Sequence, residues 1–211
     1  MEEKLTHSQV KHFLLNLADL ILRSKDELNK LDAECGDGDF GTSMFVAFTN
    51  LQRITQSTQG DDISKLLTDA ALAVLSSVGG AAGPIFGTLF AEAGKTTRGK
   101  NELGVSDLAS MFEAALMKIE ARGGARVGDK TVVDALDPAI VSLKESAANN
   151  TPLSSALGNA AKAARLGYER TTSLVARQGR ARYLAEQAIG HPDPGAHVIV
   201  LLFERLYAEV K

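Results

Sequence analysis

Between its Gly, Pro and Asn breaks, almost every stretch of this chain carries apolar residues at the three-and-four spacing of an α-helix. From Ser8 to Lys30 the residues Val10, Phe13, Leu14, Leu17, Ile21 and Leu28 fall on one face, with Thr6 or Ser8 placed to cap the start. The period resumes from about Thr42 to Gln56 through Met44, Phe45, Phe48, Leu51 and Ile54. Gly60-Asp61-Asp62 breaks that helix and caps a third, which buries Leu66, Leu67, Ala70, Ala71 and Val74. Pro84 sits at a first-turn position and starts a fourth, running through Phe90 and Ala93 to the break at Gly99-Lys100-Asn101. Ser106 or Asp107 caps a fifth along Leu108, Phe112, Leu116 and Ile119, ended by Gly123-Gly124. Asp129 opens a sixth through Val133, Leu136, Ile140 and Leu143, with Pro138 inside it expected to kink it. An alanine-rich seventh runs from about Ser154 into the 170s. Val198 to Phe203 alone matches a buried strand, but good helix formers continue without a turn to Glu209, so the spacing predicts an eighth helix. No segment reads as strand. The expectation is an all-α fold, with residues 1–211 as a single domain.

A chain of 211 residues is long enough to bury a proper core. Its 23 Lys and Arg are scattered and outnumbered by 26 acids, which excludes a nucleic-acid surface. One cysteine cannot form an internal disulfide, and that suits a reducing compartment. Met1-Glu2-Glu3-Lys4 has no apolar signal core, and His197 to Phe203 is too short to cross a bilayer. No membrane contact is expected, and the cytoplasm is the expected location.

One loop stands apart from this helical frame. Residues Leu31 to Gly41 hold four acids (Asp32, Glu34, Asp37, Asp39) and three glycines (Gly36, Gly38, Gly41) between two helical segments. The glycines permit sharp turns, while the crowded aspartates repel one another unless a cation joins them. Gly36-x-Gly38-x-x-Gly41 matches the dinucleotide fingerprint literally, but that motif needs a preceding strand, and here a helix precedes it. An EF-hand begun at Asp37 would put Gly41 and Phe48 at ligand positions. Gly94-Lys95-Thr96 imitates the end of a phosphate-binding P-loop, but Leu89 stands where its first glycine belongs. The Asp-x4-Asp-x-Asp spacing survives these tests. Asp32, Asp37 and Asp39 can hold magnesium, and the next helix N-terminus can offer free N–H groups to a phosphate. The bland alternative is a solvated acidic turn in which Asp39 only caps that helix.

Other features are weaker alone. Ser76 to Gly83 can be a backbone-lined pocket wall or close helix packing through small residues. Arg177, Arg180 and Arg182 can form an anion clamp or a solvated cluster, His191 reads as structural, and Cys35 has no nearby histidine to make it a nucleophile.

Four ordered stretches, taken together, are more specific: Gly36-Asp37-Gly38-Asp39-x-Gly41, Ser76 to Pro84, Gly128-Asp129-Lys130-Thr131, and Gly179-Arg180-Ala181-x-Tyr183-Leu184 with Gly190-His191-x-Asp193-Pro194-Gly195-Ala196. They resemble the nucleotide-binding L subunits of bacterial dihydroxyacetone kinases, a module that is also the C-terminal domain of the ATP-dependent kinases. The resemblance covers essentially the whole chain. It implies an eight-helix antiparallel barrel with ADP or ATP and two Mg2+ ions at one end. The implied metal ligands are Asp32, Asp37 and Asp39. The implied nucleotide contacts are Phe40, Gly41, Thr42, Ser43, Ala81, Ala82, Gly123, Val132, Arg180, Asp193, Pro194 and Gly195, with Arg180 as the catalytic cation. The implied partners are a K subunit that holds dihydroxyacetone and a phosphocarrier M subunit. A homodimer or hetero-complex is implied too, and such L subunits also resemble parts that contact transcription regulators.

Two positions depart from the pattern: Phe40 replaces the His common in the phosphotransferase-dependent branch, and Ala82 stands where a serine is often found. The greater number of matching residues favours that branch, in which ADP stays bound and is recharged in place. The alternatives are an ATP-dependent subunit with freely exchanging nucleotide, a nucleotide-sensing binding module, and a purely structural helical domain.

Overall fold

The structure, a computed structural model, describes residues 4–77 and 82–211. Among them are nine α-helices: α1 (His7–Arg23), α2 (Lys25–Ala33), α3 (Phe40–Ser57), α4 (Ile63–Leu75), α5 (Ala82–Thr96), α6 (Val105–Gly123), α7 (Val133–Ala148), α8 (Leu153–Thr171) and α9 (Pro194–Ala208). Two short 3₁₀ turns, Arg180–Tyr183 and Ala185–Ala188, lie between α8 and α9. The expectation of no strand is corrected by one small antiparallel pair, β1 (Leu5–Thr6) with β2 (Glu102–Leu103), in which Leu5 faces Leu103.

The first expected helix is in fact two. Ser24, an indifferent helix former, takes ψ 5° and ends α1, and α2 sets off from it. Thr6 wins the cap of α1, in a capping box with Gln9. Asp62 caps α4 as expected, while Gly104 takes the cap of α6, with Asp107 three residues in accepting its N–H at 2.9 Å. The helix expected to open at Asp129 begins four residues later. Asp134 is the reason: its carboxylate accepts the N–H groups of Gly128 (2.5 Å) and Thr131 (2.8 Å), which winds 128–131 into a turn. α7 continues through Pro138 to Ala148. Proline has no N–H for the Asp134 carbonyl four residues back, and α8 comes close at that point. A side chain at Gly167 would lie 2.1 Å from that carbonyl oxygen, so glycine is required there.

Each helix from α3 to α9 packs on the next in chain order, and α9 returns to pack on α1. The core within is apolar: Phe48 meets Phe90 edge-on at 6.3 Å, and Phe112 meets Phe203 at 4.8 Å. Lys130, only 2% exposed, is the exception among the largest fully buried side chains. No helix among the described residues is long and apolar enough to cross a membrane.

Candidate functional site

The aspartate loop is built by α2 clasping the start of α3. Asp32, in the last turn of α2, accepts the N–H groups of Asp39 (3.1 Å) and Phe40 (3.2 Å) through one carboxylate oxygen. One turn earlier, Asn29 accepts the Thr42 N–H at 2.9 Å and donates to the Thr42 hydroxyl at 3.1 Å. The helices can lie this close because position 41 is glycine: a Cβ there would stand 2.0 Å from the Lys25 carbonyl oxygen. Gly38 turns the chain between them at φ 74°, a left-handed value that glycine adopts readily. The loop gathers one oxygen each from Asp32, Asp37 and Asp39 within 4.8 Å of one another.

This geometry bears on two readings. Asp39 is not merely a cap, since its side chain makes no cap hydrogen bond; Asp32 and Asn29 cap α3 instead. The α3 N-terminus is only partly free for a phosphate, because the N–H groups of Phe40 and Thr42 are engaged by Asp32 and Asn29. Phe40 itself is partly buried and packs on the main core.

Across the loop stands Arg180. Gly179, at φ 63°, turns the chain into the 3₁₀ segment, and the guanidinium pairs with Asp37 and, at 3.2 Å, with Asp39. The other two arginines go elsewhere. Arg177 reaches toward Asp129 at 4.0 Å, while Arg182 stacks on Tyr183 at 4.9 Å and donates to its hydroxyl. The three-arginine clamp therefore reduces to one cation at the aspartates.

Asp193, Pro194 and Gly195 form the start of α9. Asp193 accepts the Ala196 N–H at 2.7 Å, and Pro194 occupies the first helical turn. Burial pushes the Asp193 carboxyl up to about 7, nearby Asp134 adds to the rise, and Lys130 opposes it. A Cβ on Gly195 would lie 2.6 Å from Val132, so these two expected contacts touch directly. Asp193 and Pro194 share their surroundings, whereas Ala82, buried at the start of α5, and Gly123, exposed at the end of α6, belong to other helix ends. Ser43 lies one residue beyond Thr42 in α3, and Ala81 is outside the described residues. Cys35 is buried with Ala176 and Ala188, and burial pushes its thiol up, which leaves it inert as a nucleophile.

Sequence reasoning missed Asn29, Asp134 and the burial of Lys130. Asn29 was detectable: it precedes Asp32 by three residues, which puts both on one face of α2. Nothing in the local pattern marks Lys130 as buried.

The fold and the loop define a class: a helical domain that presents three clustered carboxylates able to take a hard cation, with an arginine opposite. A family model described as the DAK2 domain matches residues 34–208. The chain is similar to the "PEP-dependent dihydroxyacetone kinase, ADP-binding subunit DhaL" of Escherichia coli (strain K12), with 34% identity over 98% of this chain and 99% of that protein. It is 35% identical to the "PEP-dependent dihydroxyacetone kinase 2, ADP-binding subunit DhaL" of Listeria innocua, over 95% of this chain and 93% of that one. The structure superimposes on the dihydroxyacetone kinase of C. freundii in complex with AMP-PNP and Mg2+ with a TM-score of 0.73 and 27% identity; it covers 99% of this chain and 35% of that longer one. This chain belongs to the DAK2 domain family.

Proposed function

We propose that this chain is the ADP-binding subunit of a dihydroxyacetone kinase of the phosphotransferase-dependent branch. The observation that carries it is the aspartate loop with Arg180 across it, in a chain that matches an ADP-binding subunit over nearly its whole length. The donor set fits magnesium, because all three groups are carboxylates at a solvent-facing loop. Asp32, Asp37 and Asp39 would hold the metal, two ions in this reading, and bound metal would neutralise the phosphate oxygens of the nucleotide.

The rest of the work falls to the chain itself. Asp32 is held by the α3 N–H groups, so its orientation is fixed before any ligand arrives. Arg180 supplies a planar cation suited to spread phosphate charge. The nucleotide lies along Phe40 to Ser43, Ala81, Ala82, Gly123, Val132 and the start of α9. The closed order of helix neighbours supports an eight-membered antiparallel barrel, with α1 and α2 as one broken stave. Dihydroxyacetone is held by a separate K subunit, and an M subunit recharges the bound ADP, so the working form is a cytoplasmic hetero-complex.

The experiment is direct. The chain purified by gel filtration should carry ADP, and Asp37→Ala purified alongside should be empty with its helical circular dichroism intact. With a K subunit and dihydroxyacetone, ATP alone should give negligible turnover until a phosphocarrier is added. An empty parent chain that turns over repeatedly on ATP would assign it instead to the freely exchanging branch.

A further inference from the structure

We infer that Lys130 is a positioning residue: it ties the end of α8 to the start of α9 and so sets where Arg180 and Asp193 stand at the site. The inference rests on the function proposed above. The residues between α8 and α9 make a long excursion whose middle carries Arg180 to the aspartate loop. An excursion of that length can place one guanidinium reproducibly only if its base is fixed.

The base is fixed largely by Lys130. Its ammonium donates to the carbonyl of Thr171, the last residue of α8, at 2.6 Å, and also to the carbonyl of His191. Thr171 ends a helix, where carbonyls lack helical partners and carry partial negative charge, so a cation is well suited there. His191 lies two residues before the α9 cap, Asp193. Two further bonds close the same neck: the Gly190 N–H to the Thr172 carbonyl at 2.8 Å, and the Asp193 N–H to the Thr171 hydroxyl at 2.9 Å. Among the described residues, Lys130 is the one side chain that joins both sides of this neck to a third element, the turn before α7.

Three observations argue that the lysine is more than filling. A buried ammonium is costly and adds little net stability over an apolar side chain of similar volume. Its backbone sits at φ 62°, a left-handed value unfavourable for a residue with a side chain. Finally, the titratable groups facing it are Asp193 at the α9 cap, Asp134 in α7 and the Cys35 thiol within the aspartate loop. Lys130 therefore touches the end of α8 and the approach to α9, and faces the α9 cap and a residue of the aspartate loop.

The test uses the full chain with two readouts. Lys130→Met keeps the unbranched apolar stem and removes the ammonium with its donors. Amide exchange should speed at least tenfold at residues 172–193 while α4 to α6 stay unchanged. Turnover with K and M subunits should fall about tenfold, and by less than about threefold when Arg180→Lys is already present, because both changes act through the same guanidinium. Exchange unchanged at 172–193, or turnover losses that multiply in full, would overturn the inference. If the parent chain gives no turnover, the proposed function fails, and the exchange arm still decides for or against Lys130. Should Lys130→Met not fold, Lys130→Gln, which puts a shorter neutral amide in place of the ammonium, is read in the same way. Failure of both to fold would make Lys130 a general folding requirement and overturn the positioning role.

Discussion

Arg180 reaches two aspartates whose partners in sequence lie more than a hundred residues away, and its value there depends on geometry rather than charge alone. Arg180→Lys keeps the charge and removes the planar fork. Turnover with partner subunits should drop by about tenfold or more, while ADP affinity changes less, because the cation matters most as phosphoryl charge spreads. Equal losses in both, by calorimetry and steady-state rates, would end that distinction. Asp193 supports a second expectation at the same scale. Its carboxyl, at about 7 in the fold, lies above its ordinary value of 3.8. An acid that ionises less readily when folded contributes its full stability below about pH 4 and loses it as pH rises through 7. Asp193→Asn keeps an N-cap acceptor and removes the titration. Between pH 4 and pH 8 the parent should lose roughly 1–4 kcal/mol relative to the variant in denaturant unfolding. A difference that stays flat with pH would mean that Lys130 fully compensates the charge.

Among the elements, the α2–α3 junction is the most exacting. Asp32, Asn29 and Gly41 act together: two side chains cap α3, and the glycine lets α2 approach within reach. Gly41→Ala would drive a methyl group into the Lys25 carbonyl. The helices must part, at a cost of about 3 kcal/mol in unfolding free energy, and magnesium affinity should fall with it because Asp32 loses its orientation. A variant with parental stability and metal affinity would show that the junction yields without consequence. The same close approach recurs where Gly94 of α5 lies against Ser64 and Thr68 of α4. There the Ser64 hydroxyl donates to the Gly94 carbonyl at 2.7 Å.

For the molecule as a whole, the proposed site spans the start of α3, the turn before α7 and the start of α9, so ligand binding there should be felt by the entire fold. Mg-ADP at a hundred times its dissociation constant should stabilise the folded chain by about 2.7 kcal/mol, and a chelator should abolish the gain. Thermal unfolding with ADP alone, magnesium alone and both measures this. Stabilisation by ADP that persists in chelator would break the link between metal and nucleotide.

Much of this was legible in the chain alone. The apolar period fixed helix after helix, since burying one face of each is the dominant stabilising term and leaves its mark at every third or fourth residue. The clustering of Asp32, Asp37 and Asp39 was legible from their spacing and the glycines between them, for equally local reasons. Other features had no local mark. The two-residue strand pair depends on contact between distant segments, while the break at Ser24 and the delayed start of α7 turn on small local differences, a weak helix former and the N–H groups that Asp134 accepts. Only the fold decided that Asp32 rather than Asp39 caps α3, that Arg180 alone of three arginines meets the aspartates, and that Lys130 is buried. A side chain's period reveals which face is turned inward, but the carbonyls and carboxylates waiting there come from other parts of the chain.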